Sequence, residues 1–347
     1  MFVKVYQYHI RKDKEIEFFE IQEKVFMEKE SKRTKIVFMG TPEFAVGSLK
    51  ALVEGGYDVV GVVTVPDKPS GRGLKVNMSA VKEYALGLNV PIMQPVSLKE
   101  PAFLEQLESL EADCFVVVAF RMLPQVVWSM PRLGTFNLHA SLLPQYRGAA
   151  PINWAIINGE TRTGVTTFLL DKQIDTGNII FQQECEIAPQ ENIGSLYDRL
   201  MEIGSSLVLK TVDALAQGSV VPEPQVESEV LHPAPKITRE TCKIDWNSSS
   251  TRINNLVRGL SPYPAAYATL VNGEKRVDVK IFEGAVADES GENGEPGAIV
   301  IKEKNRLCVK CAQGRYEILE LQMAGKKRLK AKEFLVGIHN IENYHFE

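Results

Sequence analysis

An open, mostly parallel α/β sheet followed by a small C-terminal β-barrel is the fold class this sequence predicts. Three observations predict it. From residue 35 to about 217, short apolar and β-branched runs alternate with helix-length segments. A stretch at 218–235, with four prolines in 14 residues from Pro222, then breaks the alternation. Beyond Lys236 the segments become short, alternating in polarity and punctuated by glycine, as in a barrel.

Each element can be justified in order. Ile36–Met39 is an apolar run that stops at Gly40-Thr41-Pro42. Thr41 is placed to cap a helix, and Pro42 to occupy its first position. Phe44–Leu52 then reads helical. Val59–Val65 is a continuous apolar run of the kind buried on both faces of a parallel sheet. Pro66–Asn77, with prolines, glycines and cations, reads as a loop. Helices at Ser79–Leu88 and Leu98–Leu110 flank a short strand at Val90–Met93. Strands follow at Cys114–Val118 and Thr135–His139, a helix at Pro151–Ile157, strands at Gly164–Leu170 and Asn178–Glu186, and a long helix at Ser195–Leu215. This βα alternation is Rossmann-like. After Lys236, strands are expected at Ala266–Val271, Val277–Phe282, Ala298–Lys302, Arg306–Lys310 and Tyr316–Leu321. The divisions are an N-terminal extension at 1–34, a catalytic domain at 35–217, a linker at 218–235 and a barrel domain at 236–347.

Composition narrows the class. Of 347 residues, 44% are apolar and 24% charged, which suits a folded chain with a sizeable core and excludes disordered, collagenous and disulfide-scaffold classes. No apolar run is long enough to span a bilayer. Residues 1–34 lack a secretory apolar core, and the five cysteines are expected to be reduced thiols in the cytoplasm. The net charge of −4 is unevenly spread, the body being acidic and residues 236–347 slightly basic, which hints at a polyanionic partner for the tail. In the extension, Phe2–Ile10 alternates like a strand and Lys12–Glu30 is helix-prone. It reads either as a βα unit or as a stretch preceding a true start at Met27.

The chemistry search is short because there are five histidines, of which His139 alone falls inside the βα core. It lies at the carboxyl end of an expected strand, where open α/β sheets bind ligands. Asn137, two residues earlier, projects to the same side, and Ser141 continues that spacing if the chain stays extended. An imidazole can move a proton and a carboxamide can donate to a developing oxyanion. The plainer reading is two satisfied polar residues at a strand end. Asp175, in the run Asp171-Lys172-Gln173-Ile174-Asp175-Thr176-Gly177, could orient His139 or relay its proton, although such a run is often just a turn. The loop around Arg72 and Lys75 and the run Lys326–Lys332 could meet phosphates or be solvated surface. Cys308 and Cys311 form a lone CxxC on a strand, whose side chains point to opposite faces, against a metal or redox role. Gly40–Phe44 is not a dinucleotide fingerprint.

The run Asn137-Leu138-His139-Ala140-Ser141-Leu142-Leu143-Pro144, with Asp171–Gly177 downstream, is similar to the signature of the folate-dependent formyltransferases. The continuation Gln145-Tyr146-Arg147-Gly148-Ala149-Ala150-Pro151, the stretch Pro66–Gly73 and Ile244-Asp245-Trp246 resemble the branch that acts on initiator methionyl-tRNA. The resemblance runs from about Lys35 to about Gly337. It implies an OB-like barrel after the sheet, 10-formyltetrahydrofolate as formyl donor, tetrahydrofolate as product, and a cytoplasmic monomer without a metal. It also implies that Asn137, His139 and Asp175 form the transfer site. Folate would be held by Ser141, Leu142, Leu143, Pro144, Arg121, Met122 and Leu123, and tRNA by Arg72, Lys75, Arg147, Lys326, Lys327 and Arg328. The chain has Phe120-Arg121 where the family usually has Tyr-Gly.

Rivals fit less well. An enzyme formylating glycinamide ribonucleotide needs a phosphate loop that Gly40–Phe44 does not supply, and it lacks a second domain. A sugar-nucleotide formyltransferase with a C-terminal extension stays open. A hydrolase of the donor needs a larger leading domain. A non-catalytic RNA-binding protein would have no need of Asn137, His139 and Asp175 together.

Overall fold

The computed structural model describes residues 33–70, 75–226, 230–288, 295–301 and 306–347. The run Ile36–Met39 is fully buried and forms the middle of strand β1 (Lys35–Gly40). Helix α1 (Glu43–Glu54) follows, then β2 (Asp58–Val63), a small hairpin of β3 (Lys68–Ser70) and β4 (Lys75–Asn77), helix α2 (Ala80–Ala85) and β5 (Ile92–Met93). Helix α3 (Pro101–Glu108), β6 (Cys114–Val118), the short α4 (Gln125–Trp128) and β7 (Thr135–His139) come next. Then follow α5 (Pro151–Ile157), β8 (Arg162–Leu169), β9 (Ile179–Glu186) and the long α6 (Ile193–Gln217).

These strands make a seven-stranded sheet of order β5-β2-β1-β6-β7-β8-β9. The pairings from β5 to β7 are parallel, and β7–β8 is antiparallel. Chain order runs outward from β1 in one direction and from β6 in the other, so the topological switch point lies between them. β7 is the next strand over, and its carboxyl end lies on the ligand-binding edge of such a sheet. One core cluster under the sheet joins Val37, Met39 and Val63 to Phe103, Phe115 and Val127.

The second sheet follows helix α7 (Ser250–Leu260). Strands β10 (Ala266–Asn272), β11 (Lys275–Asp288), β12 (Ile299–Val300), β13 (Leu307–Lys310), β14 (Arg315–Met323), β15 (Leu329–Lys330) and β16 (His345–Phe346) pair in the order β12-β13-β14-β11-β10-β16, with β15 on β14. Helix α8 (Ala331–Val336) precedes β16. An antiparallel bridge between Ala298 and His345 brings the two ends of this order together, so the ring nearly closes. Closure hides the edge strands that an open sheet would expose. Tyr316, Ile318, Val279 and Leu270 fill the interior, and Ile253 and Val257 of α7 pack on them.

By contacts the chain divides into two compact units. One contains residues up to His139 with 166–183 and 201–226; the other contains 140–165, 184–200 and 227–347. The proline-rich stretch is shared between them and is tied at several points. In the first unit, Glu223 exchanges two backbone hydrogen bonds with Ile179, of 2.7 and 2.9 Å. In the second, Ala234 N–H donates to Arg147 O at 2.8 Å and Trp154 Nε1 to Pro235 O at 2.7 Å.

Several elements differ from the sequence expectation. Pro42, not Thr41, is the residue preceding α1, and no side chain caps that helix. Pro66–Asn77 contains a hairpin, because Lys68–Ser70 and Lys75–Asn77 pair across a glycine-bearing tip. Helix α7 was hidden among expected strands. Its signals are a Ser249 cap accepting from Arg252 N–H and an Ile253, Val257, Leu260 stripe at helical spacing. Helix α3 begins at Pro101 rather than Leu98, with proline at the position where a missing N–H is harmless. The readings for residues 1–32 lie outside the described residues. Among the described residues, no helix is long and apolar enough to cross a membrane.

Candidate active site

In the first unit, β7 delivers its polar residues to the carboxyl edge of the sheet. Asn137 is half-buried and lies between Val117 of β6 and Phe168 of β8, while buried His139 faces Thr166. Thr166 accepts a hydrogen bond from Gln182 Nε2 at 3.0 Å. The His139 Nδ1 atom is 3.9 Å from Asp175 Oδ2, with both side chains largely buried. That separation is longer than a direct hydrogen bond and short enough for electrostatic coupling, or for a single bridging water.

Asp175 stands in a turn whose backbone is fixed from several sides. It adopts a left-handed conformation, φ 56°, which a non-glycine residue holds only where its surroundings impose it. Asp171 accepts from Gln173 N–H at 2.9 Å and from Thr176 Oγ1 at 2.9 Å, so the first acid of the run is structural. A Cβ added to Gly177 would sit 1.7 Å from the Leu169 carbonyl oxygen, which leaves room for glycine alone. Gln225 Nε2 donates to the carbonyls of both Asp175 and Gly177, each at 2.9 Å. Sequence reasoning passed over Gln225 because it lies in the proline-rich stretch, where nothing in the local pattern marks it.

The loop after β6 begins at Ala119, itself left-handed with φ 47°. Arg121 donates to the carbonyls of Val96 at 2.9 Å and Pro95 at 2.5 Å, and stacks over Phe120. Burial draws its pKa below the usual guanidinium value. Its charge therefore serves the loop. Met122 and Val96 are exposed, at 67% and 77%, whereas Leu123 turns into the core.

In the second unit, the chain bends at Ala140–Ser141 rather than staying extended, so the alternate spacing ends at His139. Ser141 is buried, and its hydroxyl donates to Gln145 O at 2.6 Å. Leu143 is buried too, leaving Leu142 and Pro144 half-buried on that loop. Tyr146 anchors the turn through its hydroxyl on Glu160 at 2.5 Å. Burial, and next that bond, push the Tyr146 phenol up. Arg147 is half-buried.

The basic segments divide by how far they are pinned. Arg72 and the side chain of Lys75 lie outside the described residues. The root of their hairpin is braced: Asp67 accepts from Lys82 Nζ at 2.5 Å and Gln94 Nε2 at 2.8 Å. The Lys82 bond first, and then the Gln94 bond, hold the Asp67 carboxyl below its ordinary value. In the barrel, Lys326 and Lys327 are exposed at the turn after β14. Arg328 pairs with Glu320 and lies over the Phe282 ring, and Lys330 pairs with Glu283 at 2.9 Å. All five cysteines are buried thiols outside any disulfide. Among the described residues, no cluster of His, Cys, Asp and Glu has the arrangement of a metal site.

Comparison with known proteins identifies the family. The family described as formyl transferase matches residues 34–212, and the formyl transferase C-terminal domain matches 236–339. The chain is 55% identical over 322 residues to a methionyl-tRNA formyltransferase of Bacteroides fragilis, covering 92% of this chain and 98% of that protein. It is 52% identical over 306 residues to one of Flavobacterium johnsoniae, covering 88% and 96%. Among solved structures, the sugar 3N-formyl transferase WlaRD aligns with TM-score 0.61 at 23% identity, over 84% of this chain and 98% of that one. HypX from Aquifex aeolicus in complex with tetrahydrofolic acid aligns with TM-score 0.57 at 19% identity over 86% of this chain, which spans about half of that structure, 46%. These two likenesses concern the fold. The chain belongs to the formyl transferase family, among its methionyl-tRNA formyltransferases.

Proposed function

We propose that this chain transfers the formyl group of 10-formyltetrahydrofolate to the α-amino group of methionyl initiator tRNA, with Asn137, His139 and Asp175 as the transfer site. The observation that carries the reading is the pair His139 and Asp175, 3.9 Å apart at the carboxyl end of β7, with Asn137 two residues before on the same strand. The nucleophile is an amine that must be neutral to attack. A free α-amino group has a pKa of about 7.7 to 8.0, and its ester neighbour lowers that further, so deprotonation near neutrality is easy. Attack on the formyl carbon generates an oxyanion. The Asn137 carboxamide donates to it, and His139 donates from Nε2 or shuttles its proton. Asp175 keeps the imidazole oriented and takes the amine proton through water. Collapse breaks the bond between the formyl carbon and N10, the proton taken from the amine is relayed to N10, and tetrahydrofolate leaves.

The residues present suit a flat, partly apolar donor. Exposed Val96 and Met122 flank the loop that Arg121 stiffens, and backbone groups there can meet a heterocycle. Met122, Leu142 and Pro144 are the folate candidates whose side chains can touch a ligand. Arg121, Leu123, Ser141 and Leu143 would act by shaping their loops. Arg72, Lys75, Arg147, Lys326, Lys327 and Arg328 are the proposed tRNA contacts. A single copy in the cytoplasm suffices for this chemistry, and 35–217, 218–235 and 236–347 are proposed as catalytic domain, connector and tRNA-binding barrel.

The test is a formyl-transfer assay with three acceptors side by side: methionylated initiator tRNA, glycinamide ribonucleotide and a nucleotide amino-sugar. Transfer to the tRNA alone supports the proposal. Preferential transfer to the amino-sugar would replace it with the small-molecule activity.

A further inference from the structure

We propose that Gln225 is a positioning residue for formyl transfer, holding the Asp175 turn in the conformation that aims its carboxylate at His139. The inference rests on the reading of His139 and Asp175 given above and assigns a role to a residue outside that reading. Three observations carry it, all within the first unit.

The first is the double contact. One Gln225 nitrogen, Nε2, donates to Asp175 O and to Gly177 O, each at 2.9 Å. A carboxamide NH2 has two hydrogens, so it can bridge two carbonyls two residues apart. No carboxylate or aliphatic side chain of that size can do so.

The second is the backbone it grips. Asp175 is left-handed, φ 56°, and such a conformation persists in a non-glycine residue only when the surroundings over-determine it. The far side of the turn is already fixed, since Gly177 has no space for a Cβ beside the Leu169 carbonyl. Gln225 supplies a brace at the near side, where Asp175 itself sits.

The third is that Gln225 is itself anchored. Two residues before it, Glu223 donates to Ile179 O at 2.9 Å and accepts from Ile179 N–H at 2.7 Å. This short ladder lays the segment along the start of β9, next to the turn, so the amide arrives at a set height and direction. Without the brace, the turn can relax toward a right-handed Asp175, which swings the carboxylate off the imidazole. A displacement of about 1 Å at a reacting group can cost up to roughly 10²-fold.

The experiment is a double-mutant cycle on the full chain, comparing Gln225→Ala, Asp175→Ala and the double variant in kcat, KM for methionyl-tRNA and KM for the formyl donor. Gln225→Ala is expected to lower kcat about 10-fold or more with both KM values within about two-fold, because the loss is one of alignment rather than binding. In the Asp175→Ala background the same change should cost almost nothing further, because Gln225 acts through Asp175. The isosteric Gln225→Glu, which has lost both donors, should match Gln225→Ala. It reads the same cycle if the alanine variant melts early. Equal losses in both backgrounds would overturn the inference, as would wild-type kcat in Gln225→Ala. Wild-type activity in Asp175→Ala would remove Asp175 from the mechanism, a different failure that is visible in the single variant alone.

Discussion

The turns at 171–177 and 324–327 are both polar, both contain glycine and both follow a strand, yet they are built in opposite ways. In the first, an acid accepts two hydrogen bonds, a left-handed Asp175 is gripped by Gln225, and Gly177 abuts a carbonyl. In the second, Gly325 has nothing within 4 Å of where a Cβ would be, and Lys326 and Lys327 stand in solvent. On the proposed function, the difference follows from what each turn would have to do. A group that must meet a transition state is useful only at one position, so its backbone is over-determined. A cation that meets phosphate needs charge and reach, and fixing it would waste conformational freedom without improving a long-range attraction.

The largest effect should separate these turns through their glycines. Gly177→Ala is expected to cost about 3 kcal/mol or more and to abolish transfer, since the Leu169 carbonyl must move. Gly325→Ala should cost about 1 to 2 kcal/mol, the penalty of a left-handed φ alone, with transfer kept. Thermal unfolding of both variants checks this, and equal costs would dissolve the contrast. Next in size, Asn137→Ala should lower kcat by about 10²- to 10³-fold, the usual loss of one oxyanion donor, with tRNA binding unchanged. Stopped-flow transfer at saturating substrate measures it.

Smaller effects belong to the basic turn. Each of Lys326→Ala and Lys327→Ala should flatten the slope of log K against log salt for tRNA binding by about 0.7 to 0.9, if each meets one phosphate. Arg328→Ala should flatten the slope as well and, unlike the lysine changes, also lower stability, because its guanidinium is engaged by Glu320 and Phe282. A titration at several salt concentrations, together with thermal unfolding, distinguishes the two behaviours. The smallest effect concerns pH. The Asp67 carboxyl is held below its ordinary value by Lys82 and Gln94, so its contribution to stability is complete above about pH 4 and is lost as pH falls through the depressed folded value. Protection of the hairpin amides, taken relative to the intrinsic exchange rate at each pH, should therefore fall on acidification toward pH 3 in the parent and be low already at pH 6 in Lys82→Met.

Much of this molecule was legible in its residues, for reasons the structure makes plain. Parallel strands such as Cys114–Val118 are buried on both faces and read as apolar runs, and β7 carries Asn137 and His139 in its last three residues. Asn137 and His139 were visible because a strand alternates, and Asp175 because it stands in a short patterned turn. The helix Ser250–Leu260 was missed because its apolar stripe is interleaved with Arg, Asn and Gly in a region dominated by strands. Gln225 was invisible for a different reason. Its role is set by tertiary contacts to Asp175 and Gly177, 50 and 48 residues earlier in the chain, and no local period encodes that.

The most direct test of the division between a fixed chemical site and an open electrostatic surface is the single-turnover rate of formyl transfer as a function of methionyl-tRNA concentration. It would be measured for His139→Ala and for Lys326→Ala/Lys327→Ala. For His139→Ala the plateau should fall about 10²-fold or more at an unchanged half-saturation point. For the double lysine variant the half-saturation point should rise while the plateau stays at the parent value. A His139→Ala plateau within a few-fold of the parent, or a lysine variant that loses plateau instead of affinity, would contradict the account.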